Sequence, residues 1–349
     1  MPALFAQVKE SVIGLIVSGR LQPGEVLPPV EYLAERANCS VGTVRRALAE
    51  LASAGIVKGV RRKGTVVAKL PTAGRVCLLL SPDSHTNLIF QDAVYWALSR
   101  AGFHVDLVPP TKDVGEVMAR CRQLREGPER SDCVVAFDPM LEDAAGWDGF
   151  RGFLDRYPRQ VVFAEDNRPR FPRAHLITID HHQAARVVVE HFLSLGHRRV
   201  AIFAGGAPGE EGWAHDAAEN CRHLLEVAGA TFHPVYLPEQ SETLRRLVTE
   251  EGVTAYWDIH DYAATLTAGL LRQWGRRVPQ DVSLIGRHDT PWARDCRPPL
   301  TTVSYNAVGV AEAIAEALKL AEKSDGPAYA RITKVAPHLE VRGSTGRAP

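Results

Sequence analysis

The sequence predicts an α/β protein, a small basic head followed by two similar α/β halves, and three observations predict it. Charge is unevenly placed: residues 1 to 70 hold ten Lys and Arg against five Glu, so the head carries +5 in a chain whose net charge is zero. Beyond residue 75, short apolar runs alternate with amphipathic stretches, the pattern of doubly buried parallel strands separated by helices. The alternation restarts near residue 179, so the 349-residue chain reads as a head and two layered halves.

Composition narrows the function classes. Balanced total charge excludes a uniformly basic nucleic-acid coat and an acidic tail, while leaving room for a local patch. The six cysteines stand far apart with no CxxC pair, which argues against a zinc ribbon, a redox pair or a disulfide framework and fits a reducing cytoplasm. No run approaches the ~18 apolar residues of a spanning helix, and Lys9 and Glu10 interrupt the first apolar stretch, so no signal peptide or membrane partner is expected.

In the head, residues 33–51 read as two helices joined by a tight turn at Ala37 to Cys39, with Ser40 as the N-cap of the second. Val41, Val44, Leu48 and Leu51 form one face of that second helix. Gly42, Thr43, Arg45, Arg46 and Ala49 are left on the other, small residues and two guanidinium forks that suit a major groove. Residues 55–67 then give two β-rich runs around Arg61, Arg62, Lys63 and Gly64, a wing able to touch phosphate or the minor groove. Pro71 and Gly74 punctuate the exit. The expected organisation is a winged helix-turn-helix over 1–69, a linker over 70–75 and a body over 76–345.

Body strands are expected at 76–80, 105–108, 133–137, 161–164 and 176–179, and again at 200–203, near 235–237, at 254–257 and at 282–285. Helices are expected at about 88–101, 113–126, 183–195 and 214–228. Trp96, Trp257 and Trp274 read as packing residues, Trp213 and Trp292 as loop residues.

The head resembles the GntR-type winged helix-turn-helix in Gly19-Arg-Leu-Gln-Pro-Gly-Glu25, Leu27-Pro28, Leu33-Ala34, Ser40, Thr43-Val-Arg45, Ala47-Leu48, Leu51, Gly55 and Gly64-Thr65. Glu31 and Val41 stand where that family usually has arginines, so only Arg45 keeps its arginine trio. One bidentate arginine on guanine is worth roughly 1–3 kcal/mol of discrimination. The departures therefore imply either a non-standard operator, with Arg46, Arg61, Arg62 and Lys63 compensating, or a head that has lost DNA.

The body resembles the effector domain of LacI/GalR repressors, which shares the periplasmic-binding-protein-like type I fold. Leu195-Gly-His-Arg-Arg-Val200, Val278-Pro-Gln-Asp-Val-Ser-Leu-Ile-Gly286, Pro298-Pro-Leu-Thr-Thr-Val303 and Val341-Arg-Gly-Ser-Thr345 carry the likeness. It implies two Rossmann-like subdomains, 76–178 with 304–325 and 179–303 with 326–345, a ligand cleft between them, and homodimerisation. Cleft candidates lie at the carboxyl ends of strands: Asp83, Ser84, His85 and Asn87, then Asp138, Glu165, Trp213, Asp258, His260, Asp261, and Arg287, His288 and Asp289. The family's sugar-clamping arginine is replaced by Ala217 and its Gly-Phe-Asp-Asp by Gly286-Arg-His-Asp289. Two readings stand for the cleft: His260, Arg287 and His288 favour an acidic or phosphorylated sugar, or the cleft has lost its effector and the domain only dimerises.

Enzyme signals are weak. Gly205-Gly-Ala-Pro-Gly209 lacks both GxGxxG spacing and a P-loop lysine. Asp180, His181, His182 and His191 supply metal-ligand types without an HExxH pair and read as a polar turn and helix surface. No GxSxG elbow occurs. The resemblances imply a ligand-responsive transcriptional regulator, a repressor of carbohydrate-related genes that binds a palindromic double-stranded operator as a cytoplasmic homodimer, with no catalysis, cofactor or metal. The alternative is an intracellular sugar-binding or sugar-processing protein whose head recruits partners.

Overall fold

The computed structural model describes residues 8–9, 11–12, 15–16, 21–53, 55–68, 74–79, 85–108, 113–126, 131, 133–137, 149, 152–154, 156–164, 174–209, 212–237, 239–322 and 331–349, without the side chains of 85–89, 91, 321 and 322. The head contains α1 (Val30–Arg36), α2 (Val41–Ser53), β1 (Val57–Val60) and β2 (Gly64–Val67). Its core is Val8, Val12, Leu27, Leu33, Ala34, Val44, Ala47, Leu48, Leu51, Ile56, Val57 and Val67.

Two six-stranded sheets follow. The first half runs β3 (Gly74–Leu79), α3 (His85–Arg100), β4 (Phe103–Val108), α4 (Val114–Glu126), β5 (Cys133–Phe137), β6 (Arg159–Phe163) and β7 (His175–Ile179). The second runs α5 (His181–Ser194), β8 (Arg199–Gly205), α6 (Trp213–Val227), β9 (Thr231–Tyr236), α7 (Gln240–Thr249), β10 (Ala255–Trp257), α8 (Asp261–Gln273), β11 (Ser283–Arg287), α9 (Pro291–Asp295) and β12 (Thr301–Ser304). The chain closes with α10 (Ala307–Glu322), β13 (Ile332–Val335) and β14 (His338–Glu340). Strand orders are β13-β7-β6-β5-β3-β4 and β14-β12-β11-β10-β8-β9, parallel except for β14 against β12. In each sheet the first strand lies between the second and the third, so the order reverses there and a crevice opens outside the carboxyl ends.

Period-two alternation explains the unbroken apolar runs. Val76 and Leu78 enter one core cluster while Cys77 and Leu79 enter another. Ala255 and Trp257 likewise face one cluster and Tyr256 the other side of its sheet. Strands covered on both faces have no side left for polar residues.

The chain passes between the sheets at 179–181, 304–307 and 335–338. One expectation needs correction: residues 332–335, assigned with 326–345 to the second subdomain, form β13 and pair in parallel with β7, Ile332 opposite Leu176. Because α10 packs on α3, β6 and β7, the strand after it is delivered to the first sheet, and only β14 returns to the second. β3 also starts at Gly74, two residues before the expected run, so Gly74 and Arg75 leave the linker for the sheet. Arg75 is held there by a two-pronged ion pair with Asp106 at 2.9 and 2.6 Å. β9 is longer than expected, because Pro234 interrupts the apolar signal yet is tolerated at the sheet edge.

Two buried polar groups tie the second sheet together. Asp261, at the start of α8, accepts from the Thr302 hydroxyl at 2.6 Å and from the Thr290 backbone N–H and hydroxyl at 2.7 and 2.8 Å. Gly286 permits this approach: a Cβ there would collide with an Asp261 carboxylate oxygen and come within 2.6 Å of the Leu300 side chain. Burial raises the Asp261 pKa, opposed by these hydrogen bonds. On the other side, the fully buried His197 contacts the Thr254 hydroxyl through Nδ1 at 2.8 Å, and through Nε2 the Ser283 hydroxyl at 2.9 Å and the Gly346 carbonyl at 3.0 Å.

Asp261→Ala strips the acceptor from three buried donors and should cost about 3 kcal/mol, read from urea unfolding, with Asp261→Asn losing less. Burial lowers the His197 pKa below the ordinary 6.5, and His175, His191 and His233 shift the same way for the same first cause. The unfolded chain therefore takes up these protons first. Stability should be full above pH 6.5 and fall as pH drops below it, and His197→Gln should flatten that fall in urea midpoints measured down the series.

Candidate DNA-reading surface and cleft

In the head, the turn between the helices closes through the Cys39 N–H on the Ala34 carbonyl at 3.0 Å, with Asn38 left-handed at φ 48°. The Ser40 hydroxyl accepts from the Thr43 N–H at 3.1 Å, the expected cap. Val44, Ala47, Leu48 and Leu51 are buried, which leaves Gly42, Arg45, Arg46 and Ala49 exposed and Thr43 half-buried on the outer face. Arg46 lies 4.0 Å from Glu50 one turn on and stays 74% exposed. Val41, half-buried, supports the helix rather than offering a charge, and Glu31 is exposed on α1.

The wing is an antiparallel pair, Val60 opposite Gly64. Its turn closes with the Lys63 N–H on the Val60 carbonyl at 3.0 Å, and it carries Arg61, Arg62 and Lys63 exposed. Arg62 is left-handed at φ 64° and Gly64 follows at φ 96°, a value that glycine takes without cost. A third edge stiffens the wing: Leu27 N–H donates to the Thr65 carbonyl at 2.8 Å and Val67 N–H to the Glu25 carbonyl at 2.9 Å. The stretch from Gly24 to Leu27 thus braces the wing against the helices.

The expected cleft residues separate into three groups, and those that can be described lie at the carboxyl rim of the second sheet. Asp83, Ser84, Asp138 and Glu165 lie outside the described residues, as do the side chains of His85 and Asn87. Others are already committed to the fold. Asp261 is the staple described above. His260 caps α8, its Nδ1 accepting from the Ala263 N–H at 3.0 Å, so the mobile proton of the neutral ring sits on Nε2. Asp258 is fully buried and accepts from Gln240, Tyr256, the Ile259 N–H and Thr267 at 2.6 to 3.2 Å, although burial still raises its pKa. Asp289 is bound by Arg294 at 2.6 Å and Arg342 at 2.5 Å.

The third group converges. Arg287, at the end of β11, is 1% exposed and lies between two indoles, 4.4 Å from the ring centre of Trp213 and 4.3 Å from that of Trp257. Trp257 is held by its N–H on the Gly286 carbonyl at 3.2 Å. The His181 ring stacks on Trp213 at 6.1 Å, and Tyr305 lies edge-on to His181 at 6.3 Å and to His288 at 4.7 Å. Trp213 is the first residue of α6 and Trp292 the second of α9, so both stand at helix starts rather than in loops. His181, read as helix surface, is 6% exposed. Trp257, read as packing, covers Arg287; its place at a strand end beside the order reversal was the available signal. His181 and Tyr305 carried none, since each meets the others only through the crossings.

Comparison with known proteins agrees with this division. Residues 4–67 match the bacterial regulatory proteins of the gntR family, and residues 189–345 match the periplasmic binding protein-like domain. The arabinose metabolism transcriptional repressor of Geobacillus stearothermophilus is 25% identical over 323 residues, 86% of each chain. The transcriptional regulator MalR of Streptomyces coelicolor is 30% identical over 185 residues, 51% of this chain and 54% of its own. Among solved structures, a LacI transcriptional regulator from a Rhodococcus species superposes with a TM-score of 0.62 at 24% identity, covering 78% of this chain and 98% of its own. The transcriptional regulator CelR in complex with cellobiose gives 0.59 at 20%, covering 91% and 100%. The chain thus joins a head that matches the gntR family of bacterial regulatory proteins to a body that matches the periplasmic binding protein-like domain.

Proposed function

We propose that the protein is a cytoplasmic, non-catalytic repressor that binds a palindromic double-stranded operator as a homodimer and is switched by a small sugar derivative. One observation carries the reading: the outer face of α2, small residues around the exposed Arg45 and Arg46, stands beside a wing whose turn is Arg61, Arg62 and Lys63. Ser40 and Gly42 set the helix start, Thr43, Arg45 and Arg46 meet base edges and phosphate, and the wing turn with Gly64 anchors on the backbone. The domain limits proposed are 1–69 for the head and 76–345 for the body, with β13 moved to the first subdomain.

Switching follows from linkage. A ligand that prefers one arrangement of the two sheets shifts the population by its differential affinity, and the heads attached to the first sheet move with it. One similar protein is named an arabinose metabolism transcriptional repressor and one similar structure is a transcriptional regulator in complex with cellobiose, which supports a small-molecule effector. Among the described residues no helix is long and apolar enough to cross a membrane.

The test is selection of genomic fragments by the purified protein at two salt concentrations. A few palindromic sites should be retained, and binding should fall steeply with salt as phosphate contacts release counterions. Arg45→Ala should cost about 1–3 kcal/mol in operator affinity, measured by fluorescence anisotropy, with dimerisation unchanged. Retention of no sequence and no salt dependence would reject the reading.

A further inference from the structure

We propose that Arg287 is a hook for one oxyanion group of the effector, a carboxylate or a phosphate monoester, gripped edge-on between Trp213 and Trp257. The proposal rests on reading the rim of the second sheet as the effector cleft, and it names the ligand chemistry that the rim selects.

Arg287 has an unmet demand for acceptors. A guanidinium keeps its charge at any pH a protein meets and carries five N–H donors in one plane. Arg287 is buried, yet none of its three nitrogens has a hydrogen-bond partner among the described residues. No carboxylate there pairs with it either. Asp258 turns both oxygens to Gln240, Tyr256, Thr267 and the backbone of Ile259, Asp261 is engaged by Thr290 and Thr302, and Asp289 by Arg294 and Arg342. A buried cation left so is costly unless something of opposite charge arrives.

The surroundings define what can arrive. The guanidinium carbon lies over two indole rings, 4.4 and 4.3 Å from their centres, and neither takes a hydrogen bond from its N–H groups. The planar fork of N–H donors matches two oxygens of one carboxylate or phosphate group. The indoles supply cation–π attraction that holds the plane fixed while the site is empty. Trp213, whose ring meets Arg287, opens α6, whose N-cap is Gly212 with no side-chain cap, so that ring is carried at the partly positive end of the helix. Along α6, Trp213, Ala217 and Cys221 stand one turn apart on one face, with Ala217 and Cys221 fully buried, and the charge of Arg287 is felt at Cys221. A neutral hydroxyl can accept from one of these donors but leaves the buried charge unbalanced, and an apolar ring does neither.

The experiment uses the full-length protein, thermal unfolding and indole fluorescence. Inorganic phosphate and acetate are the group probes, sodium chloride the control at matched ionic strength; glucose 6-phosphate, glucuronate and glucose then separate the two oxyanion sources from a neutral sugar. Phosphate or acetate, and the matching sugar anion, should raise the melting temperature saturably and change indole emission. Arg287→Met should weaken that binding on the order of 100-fold, and Arg287→Lys, which keeps charge but loses the fork, by less. A response to only one oxyanion class assigns the source. Failure of every anion to stabilise the wild type beyond sodium chloride overturns the proposal, as does equal stabilisation of wild type and Arg287→Met, or binding of glucose alone. If Arg287→Met does not fold, the wild-type comparison of charged with neutral sugars still decides. Operator binding, measured on the same preparation without anions, is a separate readout: DNA binding without anion binding rejects the hook and leaves the regulator standing, and the reverse result rejects the regulator and keeps the hook.

Discussion

The carboxylate of Asp261 fixes the rim on which the body's chemistry is built. Its three buried hydrogen bonds join the start of α8, the loop before α9 and the strand β12, three segments brought together by the order of parallel strands. The contact is close enough that position 286 must be glycine. Everything placed at the rim depends on it: Gly286 also accepts from the Trp257 indole, Arg287 follows directly, and β12 leads into the crossing that carries Tyr305. A short polar side chain thus sets where the aromatic cage closes.

The head was legible in the sequence because its determinants are local. The Ser40 cap, the apolar spacing of α2 and the basic turn of the wing are each decided within a few residues, and the structure places them as that spacing requires. The strands of the body were legible for a related reason, since doubly buried parallel strands write unbroken apolar runs. Where strand signals failed, a particular residue caused it. Pro234 masked the length of β9, and β13 reads Ile-Thr-Lys-Val with only Val335 buried, too polar to announce a strand that takes its place from α10.

The cleft was legible only as a set of strand ends. Which of those ends hold ligand-facing groups depends on hydrogen bonds between segments far apart in the chain. Asp258, His260 and Asp261 have the residue types of a sugar site, yet their acceptors are taken by Thr267, Ala263, Thr290 and Thr302. Arg287 looked like one member of a cationic trio, but its isolation becomes visible only when every neighbouring carboxylate has been assigned a partner. Burial and pairing are tertiary facts, and no residue type encodes them.

Coupling between cleft and head places a further demand on the rim. Arg287, Trp213 and Trp257 all belong to the second sheet and its helices, so an anion held by them alone would bind equally in every arrangement of the two halves and would shift nothing. His181 and Tyr305 stand on two of the segments where the chain passes between sheets, and their rings touch Trp213 and His288. From Tyr305 the chain enters α10, which packs along α3, and Trp96 of α3 packs against the core of the head. A ligand at Arg287 becomes a switch only so far as it is bonded differently when these crossing segments move. On the proposed reading, the aromatic pair at the crossings, rather than the arginine itself, is where binding energy would convert into a change of DNA affinity.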